Sequence, residues 1–233
     1  MIELFLEKKE FFFDLLLEHI QISAVSILIA IVIGLVIGIL ISEYKKTSKF
    51  TLSVISFLYT IPSISMLGFL IPFTGVGNTT AIIVLTIYAL LPMVRNTYTG
   101  LTNVDESIIE AAKGMGSTDY QILYKIKLPL SMPMILSGIR SMATMTIALT
   151  GIASFIGAGG LGVAIYRGIT TNNANMTMIG SILIALLALF VDFILGCLEK
   201  KKGSILVVIL IIFSLFIKYL RKSQPLRRSG YPG

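Results

Sequence analysis

Read for polarity alone, the chain alternates long uncharged stretches with short charged clusters. Ile20 to Ser42 carries no charge; at about 1.5 Å of helical rise each, these 23 residues reach roughly 34 Å and cross a hydrocarbon core of about 30 Å. Lys45, Lys46 and Lys49 close that run. Phe50 to Val94 supplies 45 uncharged residues, too many for one span and enough for two, joined in this reading by the turn-rich Pro72-Phe73-Thr74-Gly75-Val76-Gly77-Asn78. After the polar stretch 95–127, a fourth span is predicted from about Pro129 to Phe155 and a fifth from about Met176 to Leu198. The last apolar run, Ser204 to Ile217, has 14 residues and covers about 21 Å, so it spans only if nearly upright with Lys218 snorkelling to the interface. The pattern predicts an all-α membrane protein with five core spans and a sixth after them.

Charge sets the orientation. The loops at 43–49, 95–128 and 199–203 carry ten Lys and Arg, whereas those at 74–78 and 156–175 carry only Arg167. The first set is therefore assigned to the cytoplasm and the N-terminus to the outside. A tail with Lys218, Arg221, Lys222, Arg227 and Arg228 conflicts with that rule if the sixth run spans, because it would then lie outside. The expected organisation is an extracytoplasmic N-terminal segment at 1–19, a membrane domain at 20–200 with a cytoplasmic segment at 103–129, a further span at 201–220, and an unstructured basic tail at 221–233.

Composition agrees. The chain is 55% hydrophobic and 13% charged, with a mean hydropathy of +0.91, which excludes disorder and an ordinary soluble domain. Its net charge of +7 flanks apolar runs, as membrane anchors do, so nucleic acid is not expected as a partner. Met1 to Glu18 holds five acids and two lysines, unlike the basic start of a cleavable signal, so the first apolar run is expected to be retained. One cysteine, Cys197, and one histidine, His19, leave no Cys/His metal cluster and no disulfide framework.

The informative polar segment is Asn103 to Pro133. Ser107 with Glu110, and Thr118 with Gln121, read as two capping boxes that start two short helices, with Gly116 ending the first in a left-handed turn. Ile122, Leu123 and Ile126 give the second helix an apolar face, and Pro129 marks re-entry into the membrane. Ala111 and Ala112 leave the first helix slim enough for a partner's groove, with Glu110 and Lys113 at the rim; the alternative is a folded loop packed on its own protein.

Glu110-Ala111-Ala112, three residues, Gly116, nine residues, Ile126, one residue, then Leu128-Pro129 resembles the cytoplasmic signature of permease subunits of bacterial ATP-binding-cassette importers. Thr60-Ile61-Pro62-Ser63, Tyr88-Ala89-Leu90-Leu91-Pro92, Arg95-Asn96-Thr97-Tyr98-Thr99-Gly100 and Phe155-Ile156-Gly157-Ala158-Gly159-Gly160-Leu161-Gly162 resemble its quaternary-amine osmoprotectant branch, which imports glycine betaine, choline or carnitine. The resemblance covers about 20–200. It implies a type I importer permease fold like that of the methionine importer, with Glu110, Ala111, Ala112, Gly116, Ile126, Leu128 and Pro129 as the ATPase-coupling segment. It also implies a dimer of cytoplasmic ATPase subunits, a second permease copy or paralogue, and an extracytoplasmic binding protein or fused binding domain. In a fused arrangement the basic tail would be a truncated linker. ATP and Mg would be bound by the partner ATPase, with no cofactor, metal or catalytic residue in this chain, which itself lacks a GxxxxGK[ST] phosphate loop.

The remaining motifs carry weaker expectations. Gly157, Gly159, Gly160 and Gly162 spell a dinucleotide-type GxGxxG, but no soluble strand precedes them and they face away from the cytoplasm, so a re-entrant, flexible outer gate is expected instead. A trimethylammonium solute calls for aromatic faces, so Tyr59, Tyr88 and Phe57 either line the translocation path, with Pro62 and Ser63 beside them, or make ordinary lipid and core contacts. Ala30, Gly34 and Gly38 form a small-residue seam for packing either within the chain or between subunits. Asp192 is expected to pair with a lysine or with backbone, and Arg140 to snorkel. The rival readings are a permease for methionine, another amino acid or a thiol-histidine betaine; an ion-coupled secondary transporter working through Asp192; and a membrane scaffold without transport.

Overall fold

The computed structural model describes residues 1–200, whose regular elements are all helices; the predicted span at 201–220 and the tail at 221–233 lie outside the described residues. The helices are α1 (Ile2–Glu7), α2 (Lys9–Glu43), α3 (Lys45–Thr60), α4 (Ser63–Thr74), α5 (Asn78–Thr102), α6 (Glu106–Gly114), α7 (Asp119–Ile122), α8 (Leu128–Ala153), α9 (Gly162–Thr170) and α10 (Ala174–Lys200). By length and apolarity, α2, α5, α10 and the continuous helix from Asp119 to Ile156 each suffice to cross a bilayer, and α3 with α4 makes a fifth crossing if that bent pair is one span.

The predicted first span is part of a longer object. Helix α2 begins eleven residues before Ile20 and runs for 35 residues, roughly 52 Å, so the N-terminal stretch is helix continuous with the span from Lys9 onward. Phe12, Leu15 and His19 on that extension are buried, which is why the helix does not stop at the first charges. The second and third spans also differ from a simple hairpin. Pro72 lies inside α4, the turn is confined to Gly75–Gly77, and the chain bends by 96° at Ile61–Pro62 between α3 and α4. Pro62 fixes that break: it disfavours helical backbone at Ile61, which is extended (φ −68°, ψ 130°).

Helices α2, α5 and α8 form the centre, packed through Ala30, Leu35, Ile39, Ala89, Met93, Ile135 and Met142. The seam on α2 is what brings two of them together. A Cβ at Gly38 would lie 2.6 Å from Thr97 Cβ, and one at Gly34 2.9 Å from Met93 Cβ, so the glycines serve internal packing against α5. Helix α10 packs on α8 and α9 by one side and presents Ile182, Leu186, Leu189, Phe190 and Phe193 outward, as a lipid-facing helix does.

Candidate functional site

The segment from Asn103 to Pro129 folds on itself. Helix α6 starts from Asp105, not Ser107: the Asp105 carboxylate accepts the Ser107 N–H at 2.9 Å, which holds its pKa below the usual carboxylate value. Glu110, predicted as the acid of a capping box, is thus free of that duty and stands exposed with Ala111 on α6, while Ala112 is buried. The second box forms as expected, with the Gln121 N–H donating to Thr118 Oγ1 and the Thr118 N–H to Gln121 Oε1. Gly116 has φ +81°, and the Ser117 N–H donates to Ala112 O at 3.0 Å, closing the six-residue ring of a Schellman turn. Ile108, Met115 and Tyr120 remain exposed around this unit, with Met115 80% accessible.

The second short helix does not end before the membrane. It continues through a π turn at Leu123–Lys127, where the Leu128 N–H donates to Leu123 O, directly into α8. Pro129 has no N–H for the carbonyl of Lys125 and its ring would press on that carbonyl in a regular helix; the wider turn removes both conflicts. Ile126 sits half-buried within the turn and Leu128 is buried beneath it. Lys127 Nζ reaches Glu43 Oε1 at 2.8 Å and ties the turn to the end of α2.

Near the broken span, Tyr59 and Tyr88 pack with ring centroids 5.7 Å apart, and the Tyr88 hydroxyl donates to Ile61 O at the break. Tyr88 is buried against α4, while Tyr59 and Pro62 are exposed and Ser63 half-buried. The structure therefore gathers Tyr59, Pro62, Ser63 and Tyr88 at one bend. Phe57 is 68% exposed and takes no part in this pair.

Asp192 and Arg140 answer each other. Arg140 donates from Nε and Nη2 to the two Asp192 oxygens, each at 2.6 Å, and from Nη1 to Glu199 at 3.4 Å, so the acid's partner is an arginine rather than a lysine or backbone, and Arg140 pairs between α8 and α10 instead of snorkelling alone.

At the other end of α8, the glycine-rich loop is fastened rather than flexible. Gly157 (φ +74°) and Gly160 (φ +90°) take the left-handed turns that redirect the chain into α9. Three consecutive amides are bound by side chains: the Gly159 N–H donates to Asn78 Oδ1 at 2.9 Å, the Gly160 N–H to Glu18 Oε2 at 3.0 Å, and the Leu161 N–H to His19 Nδ1 at 3.3 Å. His19 Nε2 donates to Ile147 O at 3.0 Å, which fixes its tautomer. Glu18's carboxylate occupies the space a Cβ on Gly159 would need, and Gly162 lies against Gly151 O. The motif is thus spent on packing and leaves no open cradle for a pyrophosphate. Glu18, His19 and Asn78 were missed from sequence, because their partners are 81 to 142 residues away.

Residues 30–204 match the family described as binding-protein-dependent transport system inner membrane component. The chain belongs to that family. Among curated members of this transport family, the carnitine transport permease protein of Listeria monocytogenes is 42% identical over 184 residues, covering 79% of this chain and 84% of that protein. A glycine betaine/carnitine/choline transport system permease protein of Bacillus subtilis is 38% identical over 197 residues, 81% of this chain and 86% of its own length. An ergothioneine transport permease/binding protein of Helicobacter pylori is 43% identical over 147 residues, 63% of this chain but 27% of that longer protein. Among solved structures, an inward-facing methionine ABC transporter superposes with a TM-score of 0.76 at 24% identity, covering 83% of this chain and 96% of the other, so the inner membrane component fold is that of a type I importer permease. The family is multi-pass in the membrane and works with ATPase and binding-protein partners.

Proposed function

We propose that this chain is the non-catalytic permease subunit of an ATP-driven importer for quaternary-amine osmoprotectants, glycine betaine, choline or carnitine, in a bacterial plasma membrane. The observation that carries the solute class is the set of relatives named for those compounds, aligned over about four-fifths of the chain. The coupling role goes to the unit from Glu110 to Pro129. It caps its own helices and leaves Ile108, Glu110, Ala111, Met115 and Tyr120 uncovered, an apolar patch with rim charge suited to the groove of a cytoplasmic ATPase. Two such permeases, or this one and a paralogue, would enclose the path, with a separate or fused binding domain delivering solute and the paired ATPases holding ATP and Mg. Closure of the ATPases moves the unit, the π turn and α8 together, and access alternates between two states. Tyr59, exposed at the bend and packed on the buried Tyr88, offers a ring face to a passing trimethylammonium group.

The test is uptake of labelled glycine betaine after osmotic upshift in cells lacking the gene, complemented with wild type or Glu110→Lys. Restoration by wild type and loss with Glu110→Lys is expected; unchanged uptake in the deletion strain, with other osmolyte importers also deleted, sinks the solute assignment. The H. pylori relative favours a second reading, a thiol-histidine betaine as solute, and labelled ergothioneine in the same cells separates the two. An ion-coupled mechanism predicts that Asp192→Asn abolishes uptake while Glu110→Lys does not. The bidentate Arg140 pair speaks for a structural Asp192 and the opposite result.

A further inference from the structure

The outer loop holds more side-chain bonding than a connection between two helices needs. A surface loop ordinarily turns its amides to water. Here Gly159, Gly160 and Leu161 turn three successive N–H groups onto acceptors carried by two other helices, Glu18 and His19 on α2 and Asn78 on α5. A fourth bond, from the Gly77 N–H to Ile156 O at 3.1 Å, joins the turn before α5 to the same loop. His19 is fully buried and also reaches Ile147 on α8, so one side chain links α2, α8 and the loop. Ala158 is buried beneath the loop, packed with Ile22, Ala81 and Ala153.

We propose that Glu18, His19 and Asn78 are positioning residues of the extracytoplasmic gate: their acceptors clasp the amides of Gly159, Gly160 and Leu161 and hold the loop closed across the outer ends of α2 and α5. The inference rests on the importer reading, in which the outside must open once per cycle. Helix α8 connects this clasp to the π turn and the coupling unit, so motion begun at the ATPase arrives at the loop. Moving the loop away from α2 and α5 parts all three bonds, because the three amides are consecutive. The clasp requires acceptors, not charge: Glu18→Gln and Asn78→Asp preserve it, whereas alanine at either position removes it.

The test uses the full transporter in vesicles, with Cys197→Ser to remove the single native cysteine and Ala158→Cys as reporter, labelled from outside by an impermeant maleimide. Wild-type loop residues should protect the reporter thiol. Glu18→Ala and Asn78→Ala should each raise the labelling rate roughly tenfold, as expected for one lost hydrogen bond, and raise ATP hydrolysis without solute. Glu18→Gln and Asn78→Asp should stay within about twofold of the background carrying only the reporter. Two results overturn the clasp: background-level labelling in both alanine variants with an unchanged melting temperature, or Glu18→Gln labelling as fast as Glu18→Ala. Asn78 stands exposed at the start of α5, so its variants fold even if those at Glu18 do not. Failure of the osmoprotectant reading would show instead as absent solute uptake by wild type, with the labelling pattern intact.

Discussion

The two ends of α8 differ in where their side-chain acceptors come from. At the N-terminal end, the unit around α6 and α7 caps itself with its own residues, Asp105, Thr118 and Gln121, and keeps an apolar surface uncovered. At the far end, the loop also closes its own turn around Gly157, but its next three amides are held by residues from α2 and α5. A self-contained unit moves as a body and passes that motion through the π turn to α8. A loop held by distant helices reports their relative position. The difference suits an input surface at one end and a gate at the other.

The sharpest way to break this comparison is a methyl group at each end. Gly159→Ala puts a Cβ where the Glu18 carboxylate stands, and should cost about 3 kcal/mol through crowding and a lost bond. Gly116→Ala meets open space and loses only backbone comfort at φ +81°, about 1 kcal/mol. Melting of the purified complex measures both; equal losses would mean that the ends are built alike. Next in size, Ile108→Glu at the exposed end should leave melting within about 0.5 kcal/mol yet reduce recovery of the ATPase with the permease roughly tenfold. Recovery at the wild-type level would leave the uncovered patch without a partner.

Pro129→Ala sharpens the comparison more gently. It restores an N–H at position 129, lets the π turn at Leu123–Lys127 close toward regular helix, and rotates the coupling unit relative to α8. Stability should change by less than about 1 kcal/mol. Solute moved per ATP should fall about threefold, a coupling loss within the usual range for such relays. Simultaneous measurement of uptake and hydrolysis tests this, and an unchanged ratio would make the π turn a mere accommodation of proline.

What the sequence made legible follows the same division. Spans four and five, the Thr118 cap and the left-handed Gly116 depend on neighbours within a few residues, and all stand within a residue or two of the expected positions. The helical extension back to Lys9, the 96° bend at Pro62 and the Arg140–Asp192 pair depend on tertiary partners, which local pattern does not carry. The glycine run was visible, but its purpose was not. The available clue was that a polar Glu18-His19 pair stands at the very edge of an apolar run, where a buried histidine needs bonds at both ring nitrogens. Ser107 misled because a serine three before a glutamate fits the capping pattern; Asp105, two residues earlier, caps the helix instead with a charged acceptor.

That cap gives the smallest expected effect, and its sign follows from the bond. Because the carboxylate of Asp105 accepts the Ser107 N–H, its pKa is lower in the folded unit than in the unfolded chain. Its contribution is complete above the unfolded value of 3.8 and drains away as pH falls through the depressed folded one. Asp105→Asn keeps a capping oxygen but has nothing to titrate in that range. At neutral pH the two proteins should therefore melt within a degree or so of each other. As pH falls below the unfolded value, the wild type alone should lose order around α6, read as faster amide exchange at Ser107 and Ile108 relative to the variant. The amides of Gly159 to Leu161 provide the internal control, since Asp105 touches nothing at that end; parallel loosening there would show that the two ends of α8 do not open independently in acid.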